Sequence, residues 1–143
     1  MLNVIFSGFN YKINEKFVEK FLDEFKVSKY YTLNLKPNSN TNFNFEFYKF
    51  GTYFNYINWK KIPALDEKLV NSLSDKEDII IEMLSRVNPR MLISERKKFY
   101  LKQLRFWDHV IRVKKINLFI SDNIPHEGFD YIIFIICKIR NIK

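Results

Sequence analysis

The chain has 143 residues, of which 47% are hydrophobic and 28% charged, and its formal net charge at pH 7 is +8. This length and balance are typical of one globular domain with its own core, and they exclude a disordered or fibrous chain. The most apolar run, Tyr131 to Cys137, has seven residues. A membrane-spanning helix needs roughly 20. The first residues also lack the basic start and apolar core of a signal peptide, so we expect no secretion signal.

The single cysteine, Cys137, lies inside that apolar run. It has no partner for an internal disulfide and none at metal-ligand spacing, so the sequence predicts a small buried apolar residue in a reducing compartment. We therefore expect a cytoplasmic protein, with peripheral contact to the inner membrane as an option. Neither a metal nor a cofactor is predicted, because no HExxH, GxGxxG, GxxxxGK[ST] or GxSxG pattern occurs.

In the first 58 residues the apolar pattern predicts strands around one helix. The predicted elements are a strand at 1–6, a turn at 7–10 and a helix capped by Asn14 whose apolar face holds Phe17, Val18, Phe21, Leu22 and Phe25. They continue with a strand at 30–35, an asparagine-rich loop at 36–44, a strand at 43–47 and a turn at Gly51.

The rest of the chain predicts helices, then one strand and one more helix. Pro63 would open a helix with Leu65, Leu69 and Leu73; Ser74 and Glu77 form a capping-box pattern before a helix closed by Asn88-Pro89; and Ser94 would cap a helix reaching Val113. A strand at 116–120, a loop at 121–125 and a helix to the end follow. This order predicts a single α/β domain over 1–143, a Rossmann-like three-layer unit with a small, mostly parallel sheet.

The last predicted helix is apolar on almost every side, from Phe129 to Ile139. Such a helix requires burial on more than one face. The chain stops where an α/β fold would lay down its next strand. We therefore expect either a partner, such as a second copy in a homo-oligomer, or a longer protein of which this chain is an incomplete or stand-alone half.

Residues 86–115 hold ten basic and two acidic side chains, so their excess of eight positive charges equals that of the whole chain. At about 100° per residue, one stripe of the predicted helix contains Lys98, Lys102, Arg105, His109 and Arg112. The stripe is either a solvated charged face or a surface for an anionic partner. Nucleic acid is the less favoured partner, because the aromatic residues of this helix fall on the opposite, buried face.

Polar residues follow the strand at 116–120, and ligands of open α/β sheets gather beyond the carboxyl ends of strands. We predict ligand binding by Ser121, Asp122, Asn123 and Asp130, and a catalytic role for His126 and Glu127. An imidazole titrates near neutrality, so His126 suits a general base or a phosphate ligand. The alternative is a histidine that merely hydrogen-bonds Asp122 or Glu127. Pro125 suits a first helical turn, whose free N–H groups attract anions.

Several segments also resemble the amino-terminal region of bacterial surface- and capsular-polysaccharide biosynthesis proteins, which are glycosyltransferase-like and often come from marine bacteria. They are WKKIPALDE at 59–67, IEMLSR at 81–86, Glu95-Arg96, Tyr100, Phe106-Trp107 and, most specifically, SDNIPHEGFD at 121–130. The similarity spans roughly 59–143. It implies a longer protein in which a second Rossmann-like half holds a donor nucleotide, so this chain alone would not transfer sugar.

From these observations we expect the amino-terminal domain of such a glycosyltransferase-like protein, with His126 and Glu127 lining its cleft. Its expected partners are a nucleotide sugar or an anionic glycan or lipid-linked acceptor. Two alternatives stay open: a basic module that binds anions or nucleic acid through the stripe, and a non-catalytic interaction subunit that docks through the last helix.

Overall fold

The computed structural model describes residues 1–9, 12–33, 45–48 and 57–143. The chain divides into two compact units. The sheet unit comprises Met1–Ile57, Val113–Ile124 and Asn141–Lys143, and the helical unit comprises Asn58–Arg112 and Pro125–Arg140. The loop after the last strand therefore passes from one unit to the other between Ile124 and Pro125.

The sheet unit is built on four parallel strands in the order β3-β2-β1-β4. The strands are β1 (Leu2–Ser7), β2 (Val27–Leu33), β3 (Phe45–Tyr48) and β4 (Leu118–Ser121), and helix α1 (Lys12–Glu24) connects β1 to β2. The parallel pairing confirms the predicted α/β class with a small parallel sheet. It also places β1 in the interior, between β2 and β4.

Alternate residues of β1 and β2 form the core that faces α1. Val4, Phe6 and Tyr30 belong to one buried cluster with Val18 and Leu22 of the helix. The spacing of Val18 and Leu22 brings both onto one face of α1, as predicted. Phe17 and Phe25, which we also assigned to the buried face, are each 48% exposed, since the buried stripe is narrower than the full set of phenylalanines.

Strand and helix limits in this unit differ from the predictions by a few residues. Asn14 lies inside α1 and does not cap it, because the helix already begins at Lys12. Strand β2 begins at Val27, directly after a tight turn in which the Val27 N–H donates to the Phe25 carbonyl at 2.8 Å. The predicted loop at 36–44 and the turn at Gly51 lie outside the described residues.

The start of β4 is fixed by a pair of asparagine side chains. Asn3 donates its side-chain amide to the carbonyls of Lys114 and Lys115, and the Asn3 N–H donates to Asn117 Oδ1 at 2.9 Å. These bonds hold the connection in a turn with Lys115 at φ 52°, so the strand starts at Leu118 instead of Ile116. On β4, the Phe119 N–H donates to the Lys143 carbonyl at 2.8 Å.

The helical unit contains four α-helices and two short 3₁₀ turns within its described residues. The helices are α2 (Glu67–Asn71), α3 (Glu77–Val87), α4 (Ile93–Val113, whose last residue joins the sheet unit) and α5 (Phe129–Ile139); the 3₁₀ turns are Trp59–Lys61 and Ser74–Lys76. The end of α3 before Asn88 and the end of α4 at Val113 are as predicted. No helix among the described residues is both long enough and apolar enough to cross a membrane.

The predicted helix starts were wrong by a few residues, because other groups bond the first N–H groups of these helices. Helix α2 begins at Glu67, beyond the predicted start at Pro63, and Asp66 caps it by accepting the Lys68 N–H at 2.9 Å. The Ser74 hydroxyl donates back to the Asn71 carbonyl, so no capping box forms with Glu77. Ser94 lies inside α4, where Glu95 instead accepts the Leu92 N–H at 2.8 Å.

Helix α5 is buried within the chain over most of its surface. Its buried residues are Phe129, Asp130, Ile132, Ile133, Ile135, Ile136 and Cys137. Phe134 and Ile139 stay partly exposed, at 38% and 40%. The apolar composition of this helix is therefore largely satisfied inside the chain. Burial also raises the pKa of the Cys137 thiol from its ordinary 9.0 to about 12, which keeps the thiol protonated.

Candidate functional site: the carboxyl edge of strands β1 and β4

The strand order creates a topological switch point between β1 and β4. From β1 the chain builds outward to β2 and β3, and it then returns to place β4 on the other side of β1. Ligands of open α/β sheets bind in the crevice outside the carboxyl ends of strands at such a point. Ser7 and Ser121 are register partners at this edge, and the Asp122 N–H donates to the Ser7 carbonyl at 3.0 Å.

Gly8 and Asp122 come into close contact just beyond these strand ends. Gly8 has φ +87°, a conformation in which other residues are strained. A Cβ at Gly8 would lie 1.9 Å from Asp122 Oδ1 and 2.7 Å from its Cγ. Only glycine therefore allows the carboxylate to approach the backbone of the β1–α1 turn this closely.

Polar groups continue along this edge of the sheet. Ser7 is buried, and Thr32, the register partner of Phe6, lies one residue before the end of β2. The Thr32 hydroxyl oxygen is buried and has no hydrogen-bond partner in the part of the chain that the structure describes. A buried hydroxyl without a partner costs about 1–3 kcal/mol, so Thr32 is a polar group that the described part of the sheet does not satisfy.

The predicted site residues are divided between the two units. Ser121, Asp122 and Asn123 belong to the sheet unit, whereas His126, Glu127 and Asp130 belong to the helical unit. Asn123 turns its side chain onto the local backbone, where Oδ1 accepts the Ile124 N–H at 2.8 Å. The structure thus brings Ser121 and Asp122 to the carboxyl edge.

Asp130 lies in the first turn of α5, and its carboxylate bonds backbone N–H groups there and in the segment just before the helix. Its carboxylate accepts the N–H groups of His126 at 3.1 Å, Glu127 at 2.8 Å and Tyr131 at 2.7 Å. The positive end of the helix dipole also stabilises a carboxylate at this position. The predicted ligand-binding residue Asp130 therefore already fills the place that an external anion would take.

Gly128 explains why α5 begins later than predicted. Gly128 has φ +83°, which interrupts a right-handed helix, and a Cβ there would lie 3.0 Å from Leu84 Cδ2. Pro125 and Glu127 consequently precede the helix instead of forming its first turn. The side chains of His126 and Glu127 are exposed. Their predicted catalytic role remains a prediction.

One arginine of the predicted anionic-partner stripe is committed to the helical unit itself. Arg105 Nε donates to the Pro63 carbonyl at 2.7 Å, and one Nη donates to the carbonyls of Trp59 (3.0 Å) and Ile62. Because a guanidinium has five N–H donors in a rigid fork, it can tie several carbonyls at once. Arg105 therefore clamps the 59–63 segment to α4.

A second arginine of the stripe, Arg112, pairs with a buried carboxylate. Asp108 Oδ2 accepts from Arg112 Nε at 3.0 Å, and Asp108 Oδ1 accepts from Arg140 Nε at 2.7 Å and from an Arg140 Nη. Asp108 is 3% exposed, so this bridge ties α4 to the end of α5. His109 is half-buried, and Lys98 and Lys102 are exposed.

Other places on the molecule offer less. No group of three metal-ligating side chains occurs among the described residues. An open depression of about 510 Å³ lies at the α3–α4 junction. It is lined by Val87, Asn88, Pro89, Arg90, Met91 and Glu95, and none of these is a predicted site residue.

Four important residues escaped the sequence reasoning: Gly8, Thr32, Asp108 and Arg140. The Ser7-Gly8 turn was visible after the first strand, but its meeting with Asp122 depends on β1 and β4 being neighbours. Asp108 stands among basic residues, and an isolated acid in a basic helix is the signal by which its structural ion pairs could have been found.

The fold and this edge define an α/β protein whose parallel sheet presents polar groups at a topological switch point. Comparisons with protein-family models, curated proteins and solved structures found no match for this chain.

Proposed function

We propose that the chain is a Rossmann-like, sugar-binding domain of a glycosyltransferase-like protein of surface-polysaccharide biosynthesis. The observation that carries the proposal is the meeting of Gly8 and Asp122 at the switch point between β1 and β4. The segment that resembles the polysaccharide proteins most specifically, SDNIPHEGFD, begins at the end of β4.

The order of the strands supports the Rossmann-like assignment. Four parallel strands in the order 3-2-1-4 match the first four strands of the dinucleotide-binding fold. That fold uses the turn after β1 to bind a pyrophosphate through backbone N–H groups. Here the equivalent turn has Gly8 but no GxGxxG pattern.

The charge at the edge favours a neutral ligand rich in hydroxyl groups. The Asp122 carboxylate lies against the β1–α1 turn, where it would repel a pyrophosphate but accept hydrogen bonds from sugar hydroxyls. Ser7 and Ser121 add hydroxyl groups that donate and accept. The proposal is therefore a glycan acceptor at this edge, and the nucleotide portion of a donor is disfavoured there.

Binding measurements test this ligand class. Saturation-transfer NMR with neutral oligosaccharides and with uridine diphosphate should show transfer to the oligosaccharide and little to the nucleotide. Asp122→Asn keeps the shape but removes the charge and half of the acceptor capacity, so it should weaken sugar binding about 10-fold. Asp75→Asn, at an exposed ion pair with Lys76, is the matched control.

The opposite pattern would refute the proposal: uridine diphosphate binding that improves in Asp122→Asn, or no oligosaccharide binding by the wild type.

The predicted catalytic residue His126 is tested in cells. Replacing His126 by alanine should reduce surface polysaccharide without lowering protein abundance. Wild-type polysaccharide in a cell that makes stable His126→Ala protein would remove His126 from the proposal.

A further inference from the structure

Two segments of the helical unit are rich in basic residues. Residues 58–65 and 96–107 together contain seven basic and no acidic side chains, and one of the seven, Lys97, pairs with Glu77 of α3 at 2.7 Å. The Arg105 clamp holds the first segment onto the second, since its guanidinium reaches three carbonyls between Trp59 and Pro63. Charges that are about 40 residues apart in sequence are thereby brought onto one surface.

Trp59 is half-buried and lies beside two of these basic side chains. Lys102 Nζ lies 6.0 Å from the centre of its ring, and the Arg105 guanidinium carbon lies 5.7 Å from it. Both distances are within the range of a cation–π interaction. Lys60 and Lys61 continue the same 3₁₀ turn and are exposed.

Lys98 also belongs to this surface. It lies one helical turn before Lys102 and is exposed. The Trp59 surface is defined as Trp59, Lys60, Lys61, Lys98 and Lys102. Arg105 shapes this surface, and its Nε and one of its Nη atoms are bonded to carbonyls, so the lysines are the main groups that would meet a partner.

We propose that the Trp59 surface docks the protein on an anionic lipid bilayer. Lysine ammonium groups attract the phosphates of anionic headgroups, and each contributes to binding within a Debye length of the membrane. The indole adds a ring with one polar end, which suits the headgroup region where tryptophan is enriched. This inference does not depend on the proposed sugar site.

The contacts of Trp59 favour a bilayer over single-stranded nucleic acid. Binding of single strands relies on bases that stack on aromatic faces. The cations of Lys102 and Arg105 lie over the Trp59 ring, where they compete with a base for the ring face. Lipid headgroups require charge and an interfacial side chain, and both remain in place.

Vesicle co-sedimentation of the full chain tests the proposal. Vesicles of phosphatidylcholine alone are compared with vesicles of phosphatidylcholine and phosphatidylglycerol in equal amounts. We expect binding to the anionic vesicles that weakens with added salt. Because Trp107 is already buried, a blue shift of tryptophan emission on binding would report on Trp59.

Charge reversal identifies the surface. The triple variant Lys60→Glu, Lys61→Glu and Lys102→Glu should bind anionic vesicles about 100-fold more weakly. The matched control reverses Lys16, Lys26 and Lys29, which are equally exposed and change the net charge by the same amount. The control should keep most of the binding, and circular dichroism should show both variants folded.

Three results would overturn the proposal. Equal binding to neutral and anionic vesicles would show that charge is not used, and equal loss in the control triple would show that only net charge matters. Tighter, salt-sensitive binding to a single-stranded oligonucleotide than to the vesicles, lost in the Lys60/Lys61/Lys102 variant, would assign the surface to nucleic acid instead.

Discussion

Two buried aspartates of the helical unit contrast with one exposed aspartate of the sheet unit. In the helical unit, Asp108 and Asp130 are buried, and their carboxylates are surrounded by arginine or backbone donors. In the sheet unit, Asp122 is exposed and lies against a glycine at the carboxyl edge. The same side chain thus stabilises the fold in one region and is presented beside a strained turn in the other.

The largest expected effect is on the sheet side, at Gly8. Gly8→Ala forces a Cβ into Asp122 Oδ1 and a residue with a side chain into positive φ. We expect a loss of about 3 kcal/mol in the free energy of unfolding, measured by urea denaturation.

The double variant Gly8→Ala, Asp122→Ala separates these two causes. Removing the carboxylate relieves the clash but leaves the backbone strain, so the double variant should recover part of the lost stability. Equal free energies of unfolding for the two variants would show that the contact with Asp122 does not affect stability.

The next effect is on the helical side. Asp108→Ala removes the acceptor of Arg112 and Arg140 from a buried position, so we expect a loss of about 2 kcal/mol in unfolding free energy. The control is Asp75→Ala, which breaks a surface ion pair with Lys76. Its urea midpoint should equal that of the wild type. Equal midpoints for Asp108→Ala and the wild type would contradict a structural role for Asp108.

The smallest effect is expected at Cys137, which should not react in the native protein. Because burial raises its pKa from 9.0 to about 12, almost no thiolate is present at neutral pH, and a maleimide should label it only after unfolding. The stability that this shift contributes is complete below pH 9.0 and is lost as the pH rises toward 12. Rapid native labelling would show that α5 opens readily.

The sequence was a good guide to element type and a poor guide to caps. Periodicity located all four described strands and the long helices, because apolar spacing follows directly from backbone geometry. Asn14, Ser74 and Ser94 were each assigned a capping role that the structure does not give them. A serine or an asparagine bonds any nearby backbone group, and the choice among them depends on neighbours that the sequence does not specify.

Only the part of the candidate site that follows β4 could be predicted from the sequence. Ser121 and Asp122 follow a recognisable strand, so their place at a carboxyl edge could be expected. Their partner Gly8 is more than a hundred residues away, and pairing of β1 with β4 is a matter of topology. Arg105 was assigned to a surface for an anionic partner because it lies in a basic stripe. Its bonds to three carbonyls could not be predicted from that stripe.

The hydrogen bond from Phe119 to Lys143 has a consequence for self-association. Strand β4 stands at one end of the sheet order, where unpaired backbone groups can recruit a strand from another molecule. Asn141, at φ 54°, turns the chain back after α5, and the Lys143 carbonyl occupies one of the outward N–H groups of β4. Because β4 has four residues, this bond removes one of the few outward N–H groups to which a strand of an aggregating molecule could bond.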